Sequence, residues 1–193
     1  KFSNARIQNF SFIEDQEYGM GVNVDLNYGS VNIYQNYEKW PQVEYRCDES
    51  YCGSYPKIKK EDIPTDEQAL EIADQFVKSY QISLEGYGQP RVYDYSTNWR
   101  ILYEQAGTDQ SRFAFPETVN VIYPLTLEGK EVLDEGGNPT GIFVTIDIRS
   151  RKVNNLYGLE TKQFEKSNYI GVTDASTIMK VAQRGGYRNN IYE

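Results

Sequence analysis

Residues 141–157 read GIFVTIDIRSRKVNNLY, and this stretch decides the fold. Ile142, Val144, Ile146 and Ile148 alternate with Phe143, Thr145, Asp147 and Arg149. That period of two is what a strand with one buried face requires. Ser150-Arg151 then turns the chain into a second apolar stretch at 153–157, which completes an antiparallel hairpin. The same pattern recurs near the start of the chain. Val22, Val24 and Leu26 alternate with Asn23 and Asp25; after Asn27-Tyr28-Gly29, Val31 and Ile33 alternate with Asn32 and Tyr34. Such a hairpin has one apolar and one wet face, as antiparallel sheets allow.

Between the hairpins lies a helix signal. Thr65 is a good N-cap and Gln68, three positions on, completes a capping box. Ala69, Leu70, Ala73, Phe76, Val77 and Tyr80 recur at helical spacing, which predicts a helix over about 66–82 with that stripe buried. A second helix is predicted over about 174–184, beginning at Thr173, carrying Ile178, Met179 and Ala182, and stopping at Gly185-Gly186. The starts Thr65-Asp66 and Thr173-Asp174 echo one another; a repeat or shared capping chemistry would each produce the match. Further strands are expected at 6–12, 42–46, 91–95, 99–103 and 118–127. In the last of these Val119, Val121, Tyr123, Leu125 and Leu127 share a face, and Pro124 marks an edge or a bulge. The fold class is therefore α+β, a mostly antiparallel sheet with two helices and an N-terminal β-hairpin region. Residues 57–64 are charged and end in proline, a boundary between a tyrosine-rich β region, 1–60, and an α+β region, 61–193; one continuous domain is the alternative.

Composition narrows the chemistry. The 193 residues include no histidine, two cysteines, 17 tyrosines and a net charge of -8. Histidine is the usual general base and transition-metal ligand near neutral pH, so its absence closes most catalytic routes. No basic stripe is present to neutralise phosphates, so no nucleic-acid partner is expected. No apolar run reaches the roughly 18 residues of a membrane helix, so no transmembrane segment is expected in this chain. It opens at Lys1 without a methionine, as a mature or trimmed ectodomain would, with a signal or anchor upstream.

Cys47 and Cys52 stand five positions apart in a polar, turn-forming stretch. Zinc needs four soft or imidazole ligands, which the chain cannot supply, and a redox pair would be spaced C-x-x-C. A structural disulfide worth about 2 kcal/mol is the expectation, and with it an extracytoplasmic location. No metal or other cofactor is expected.

Other chemistry finds less support. Ser150 and Lys152 are neighbours on a turn, whose ordinary polar residues account for both. Paired carboxylates could hydrolyse glycans, but 28 acidic residues make accidental pairs certain. Asp134, Glu135 and Asn138 lack the spacing of a calcium loop and read as a plain turn. The aromatic residues are the better lead: Tyr34, Tyr37, Trp40, Tyr45, Tyr51 and Tyr55 flank the cysteines and form a candidate binding surface. They are also good strand formers, so sheet packing is the competing reading.

The order helix, strands, turn, hairpin over 65–158 resembles the helix-plus-hairpin unit of PepSY-type extracytoplasmic domains, with Ser150-Arg151 where that family's last hairpin has Thr-Gly. TVNVIYPLTLEGKEVLDEGGNPTG at 118–141 and the closing AQRGG at 182–186 are similar to uncharacterised membrane-anchored proteins of uncultured bacteria. The resemblance covers about 60–190 and implies an extracytoplasmic location, at the cell surface, in the periplasm or secreted. It transfers no functional residue. The expected function is a non-enzymatic binding or accessory domain of a secreted or membrane-anchored bacterial protein, with a protein or glycan partner at the aromatic patch. A self-associating subunit of a surface layer or filament and a histidine-free glycan hydrolase are the alternatives.

Overall fold

The computed structural model describes residues 8–41, 47–48, 51–52, 58–93, 99–105, 115–162, 164–165 and 174–184. Residues 1–161 form one compact unit and 162–193 a second. The first unit is α+β. Its N-terminal strands are β1 (Asn9–Ile13), β2 (Met20–Asp25) and β3 (Ser30–Gln35), followed by a two-residue pair, β4 (Cys47–Asp48) and β5 (Tyr51–Cys52). Helix α1 spans Asp66–Ser79, and β6 (Arg91–Val92) precedes helix α2 (Trp99–Gln105). The remaining strands are β7 (Thr118–Pro124), β8 (Thr126–Leu127), β9 (Lys130–Glu131), β10 (Gly141–Asp147) and β11 (Lys152–Glu160).

Seven strands form one antiparallel sheet in the order β1-β2-β3-β11-β10-β7-β6. The pairing of β3 with β11, Ile33 opposite Leu156, carries the sheet across the 57–64 segment. The predicted alternation of β10 holds in three dimensions. Ile142, Val144 and Ile146 stand opposite Tyr123, Val121 and Val119 of β7, and all six are buried with Leu156 and Ile33. Ile122 and Phe143, on the other face, are also buried. Burial on both faces explains why 121–124 and 141–144 read as unbroken apolar runs.

Helix α1 closes the first face. Gln68 N–H donates to Thr65 Oγ1 (3.2 Å) and Thr65 N–H to Gln68 Oε1 (3.0 Å), the reciprocal capping box. Ala69, Ala73 and Val77 are buried, and the small alanines let the helix lie close on the sheet. The Tyr123 hydroxyl donates to Asp74 Oδ1 (2.6 Å), tying helix to strand. Thr65→Ala removes the cap and is expected to cost about 1 kcal/mol in urea unfolding, while Thr65→Ser retains most of it. Equal stability of the two variants would contradict that role.

Three expectations need correction. The segment 99–103, read as a strand from its aromatic and β-favouring composition, is helix α2, so the described residues hold three helices. Trp99 and Tyr103 both pack on Phe115, with ring centroids 5.7 and 5.2 Å away. Residues four apart reach one ring on a helix, where they are neighbours, but not on a strand, where ~13 Å separates them. The Arg100–Asp66 ion pair fastens α2 to the first turn of α1. Second, β7 ends at Pro124 rather than Leu127. Thr126–Leu127 instead pairs with Lys130–Glu131 through Glu128 and Gly129, at φ 51° and 78°, a two-residue turn of the primed type. Third, the cap of the last helix, α3 (Ala175–Gln183), is Asp174, one residue later than expected. Hydrogen bonds from the Ser176 and Thr177 hydroxyls and the Thr177 N–H hold the Asp174 carboxyl at about 2. The strand expected at 42–46 and the glycines at 185–186 lie outside the described residues. Among the described residues, no helix is long and apolar enough to cross a membrane.

Candidate functional site

The connection between β1 and β2 is built around one carboxylate. Glu14 accepts hydrogen bonds from the Met20 N–H (2.8 Å), the Gln16 amide (3.3 Å) and the Tyr80 hydroxyl (2.9 and 3.0 Å to its two oxygens). Tyr80 is the C-terminal cap of α1, so this bond moors the loop to the helix end. Burial first, and then the Glu14 carboxylate, push the Tyr80 hydroxyl far above its ordinary value. At neutral pH it is a fixed hydrogen-bond donor and not a base.

The loop then reverses sharply. Gly19 has no room for a side chain, because a Cβ there would meet the Glu14 and Gln16 carbonyl oxygens at 2.7 and 2.8 Å. Its own carbonyl accepts from the Trp40 indole N–H (3.0 Å) and the Asn36 N–H (2.9 Å). Tyr18, just before it, is held at φ 57°, a left-handed conformation costly for a bulky side chain. Its N–H donates to the Lys39 carbonyl (3.0 Å), and Lys39 pairs with Asp15. The Tyr18 ring meets the Trp40 ring edge-on at 5.3 Å, and the Lys152 ammonium lies 4.7 Å from its centroid.

These groups form one wall of an open cleft of about 470 Å³. The opposite wall comes from α1 through Ile72, Gln75, Phe76, Ser79 and Tyr80, and the floor from Met20 and Val153. The β10–β11 turn contributes Arg151 and Lys152. Among the lining residues Glu14 and Glu17 balance Arg151 and Lys152, so no single charge sign dominates. The chemistry offered is aromatic surface, two cations, two carboxylates and a rim of amides and hydroxyls. Groups of these kinds can engage a polar ligand by stacking and hydrogen bonding.

Of the predicted site residues, the three with described side chains, Tyr34, Tyr37 and Trp40, are dispersed. Trp40 is only 7% exposed and braces the cleft wall from within, so it does not join an exposed patch. Tyr37 is 66% exposed. Tyr34 points to the sheet face away from α1, where its ring covers its cross-strand neighbour Gly21. Tyr45 and Tyr55 lie outside the described residues, as does the side chain of Tyr51. Cys47 and Cys52 are direct cross-strand partners in β4–β5, a backbone spacing that suits a disulfide. Ser150 donates its hydroxyl to Asp147 (2.6 Å) while Lys152 is turned to Tyr18. Asp134 Oδ1 accepts from the N–H groups of Gly136 and Asn138 in its own loop (both 2.8 Å), which holds its carboxyl below the usual range. Sequence reasoning overlooked Glu14 and Tyr18, weighed Lys152 only beside Ser150 as a turn residue, and treated Tyr80 as core. The available signal was residues 14–20, EDQEYGM, an acidic hairpin connection with an aromatic residue before glycine.

No family model, curated protein or solved structure matches the chain.

Proposed function

We propose that this chain is a non-enzymatic, extracytoplasmic binding domain of a secreted or membrane-anchored protein, with the cleft between Tyr18 and Tyr80 as its ligand site. One observation carries the reading. Of the four described non-glycine residues with positive φ, Tyr18 and Arg151 both line this cleft. Left-handed backbone at a bulky residue costs roughly 1–3 kcal/mol and persists where function requires the side chain's placement. The balanced charge, the rings of Tyr18 and Phe76, and the amides of Gln16 and Gln75 suit an uncharged glycan segment. The cross-strand position of Cys47 and Cys52 supports export.

The test is titration with neutral oligosaccharides, followed by Trp40 emission and by release of reducing ends. Saturable binding without turnover is expected. Tyr18→Ala is expected to weaken it at least ~10-fold, the loss of a stacking contact of about 1.4 kcal/mol. Arg151→Gly relieves a left-handed backbone at an exposed residue. It should weaken binding while leaving stability unchanged or raised by up to about 1 kcal/mol. Binding unaffected by either change would remove the cleft from consideration, and cleft-dependent turnover would favour a hydrolase. Two free thiols in an oxidised preparation, found by alkylation and mass spectrometry, would argue against export.

A further inference from the structure

The two margins of the large sheet are unlike. β6 is only two residues long, as short protected edges are. β1 is five residues, NFSFI, with no charge, no proline and an unbroken register against β2. None of the usual devices against edge-to-edge pairing is present in it.

The free hydrogen-bonding groups of this edge can be assigned. The Gln8 carbonyl accepts from Leu26 N–H (2.8 Å) and the Glu14 N–H donates to the Met20 carbonyl (2.8 Å). The register between these points is continuous, Phe10 opposite Val24 and Phe12 opposite Val22. Even-numbered residues therefore exchange main-chain bonds with β2, and Asn9, Ser11 and Ile13 direct their N–H and C=O groups outward. On the face shared with Val22 and Val24, Phe10 and Phe12 meet edge-on at 5.4 Å. Phe12 and Ile13 are 63% and 64% exposed.

We propose that β1 pairs antiparallel with β1 of a second copy about a two-fold axis through Ser11, joining the two sheets into one. The edge is complementary to itself in this register. Asn9 stands opposite the partner's Ile13 and Ser11 opposite the partner's Ser11, so every outward group meets its complement. Phe10 then stands opposite the partner's Phe12 in the closely spaced, non-hydrogen-bonded position, and four rings close over the apolar margin. Charge selects the direction. Antiparallel pairing sets Glu14 opposite the partner's Gln8, whereas parallel pairing would bring Glu14 and Asp15 of both copies side by side. No residue of β1 itself lines the cleft, and dimerisation does not depend on the cleft binding anything.

Light scattering on the full chain over a series reaching millimolar concentration tests the proposal. The mass should rise from 22.3 kDa to twice that value and stop there. Ser11→Pro should remain a monomer, because the Ser11 N–H faces away from β2 and its loss leaves the β1–β2 ladder intact. Ile13→Lys should behave likewise, through a charge on the edge. Amide exchange supplies a second readout: Ser11 and Ile13 should gain protection on concentration, while Phe10 and Phe12 are protected throughout. A monomer at every concentration, a mass that grows past the dimer, or an undiminished dimer in folded Ser11→Pro or Ile13→Lys overturns the proposal.

Discussion

Gly158→Ala is expected to destabilise the protein by about 3 kcal/mol or more, a large share of the 5–15 kcal/mol that a domain has in total. Gly158 lies in β11 at φ 82°, where the strand slips register against β3 between Leu156 and Leu159. Two costs combine there. The left-handed backbone disfavours any L side chain by roughly 1–2 kcal/mol. In addition, a Cβ would stand 2.0 Å from the Gly141 carbonyl oxygen. That neighbour is backbone in the middle of the sheet, so relief requires moving β10, at an overpacking cost of roughly 1–3 kcal/mol. Gly137→Ala separates the two costs, since Gly137 has φ 80° but nothing within 4 Å of an added Cβ. It should lose only the backbone component, about 1 kcal/mol. Comparable urea midpoints for the two variants would show that the close approach of β10 and β11 carries no weight.

The second large effect appears at high pH. Tyr123 is fully buried, and burial, followed by its hydrogen bond to Asp74, drives its ionisation far above the ordinary tyrosine value of 10.0. Tyr80 is raised in the same way beside Glu14, and Tyr87 by burial and the charge of Glu160. A raised folded value means that the native state keeps its proton while the unfolded chain loses it. The stabilisation is therefore complete below pH ~10 and falls as pH rises further, by about 1.4 kcal/mol per pH unit for each such tyrosine. Tyr123→Phe should remove one such contribution from the slope above pH 10, and Tyr80→Phe another. At neutral pH Tyr123→Phe should also cost about 1–3 kcal/mol, because it deletes a hydrogen bond to a carboxylate. Chemical denaturation at several pH values measures both quantities. Parallel pH profiles for the wild type and Tyr123→Phe would refute the assignment.

Where local chemistry and tertiary packing agree, the fold was legible in the sequence. Thr65 and Gln68 cap α1 through the bonds that their spacing predicts. The alternation in 142–148 and the hairpin over 21–34 also place the strands and their buried faces. Residues 99–103 failed because their aromatic, β-favouring composition is overruled by Phe115 and Asp66, partners distant in sequence. Leu127 failed because Glu128 and Gly129 turn the chain back, so that Thr126–Leu127 pairs with Lys130–Glu131 and leaves the large sheet.

The candidate cleft was legible in its parts but not as a site. Glu14, Trp40, Tyr80 and Lys152 belong to four separate segments, and no spacing rule connects them. The aromatic cluster around Tyr34–Tyr55 looked continuous along the chain, yet the pleat sends Tyr34 to one face and the following turn carries Trp40 into the core.

By itself, the sequence determined the α+β class, helix α1 and the apolar faces of the central strands. These follow from periodicity and capping, which act within a few residues. The pairing of β3 with β11, the helical state of 99–105, the left-handed setting of Tyr18 and Arg151 and the outward hydrogen-bonding groups of β1 were decided only in the tertiary structure. Each depends on contacts between segments far apart in the chain, where long-range packing outweighs local preference.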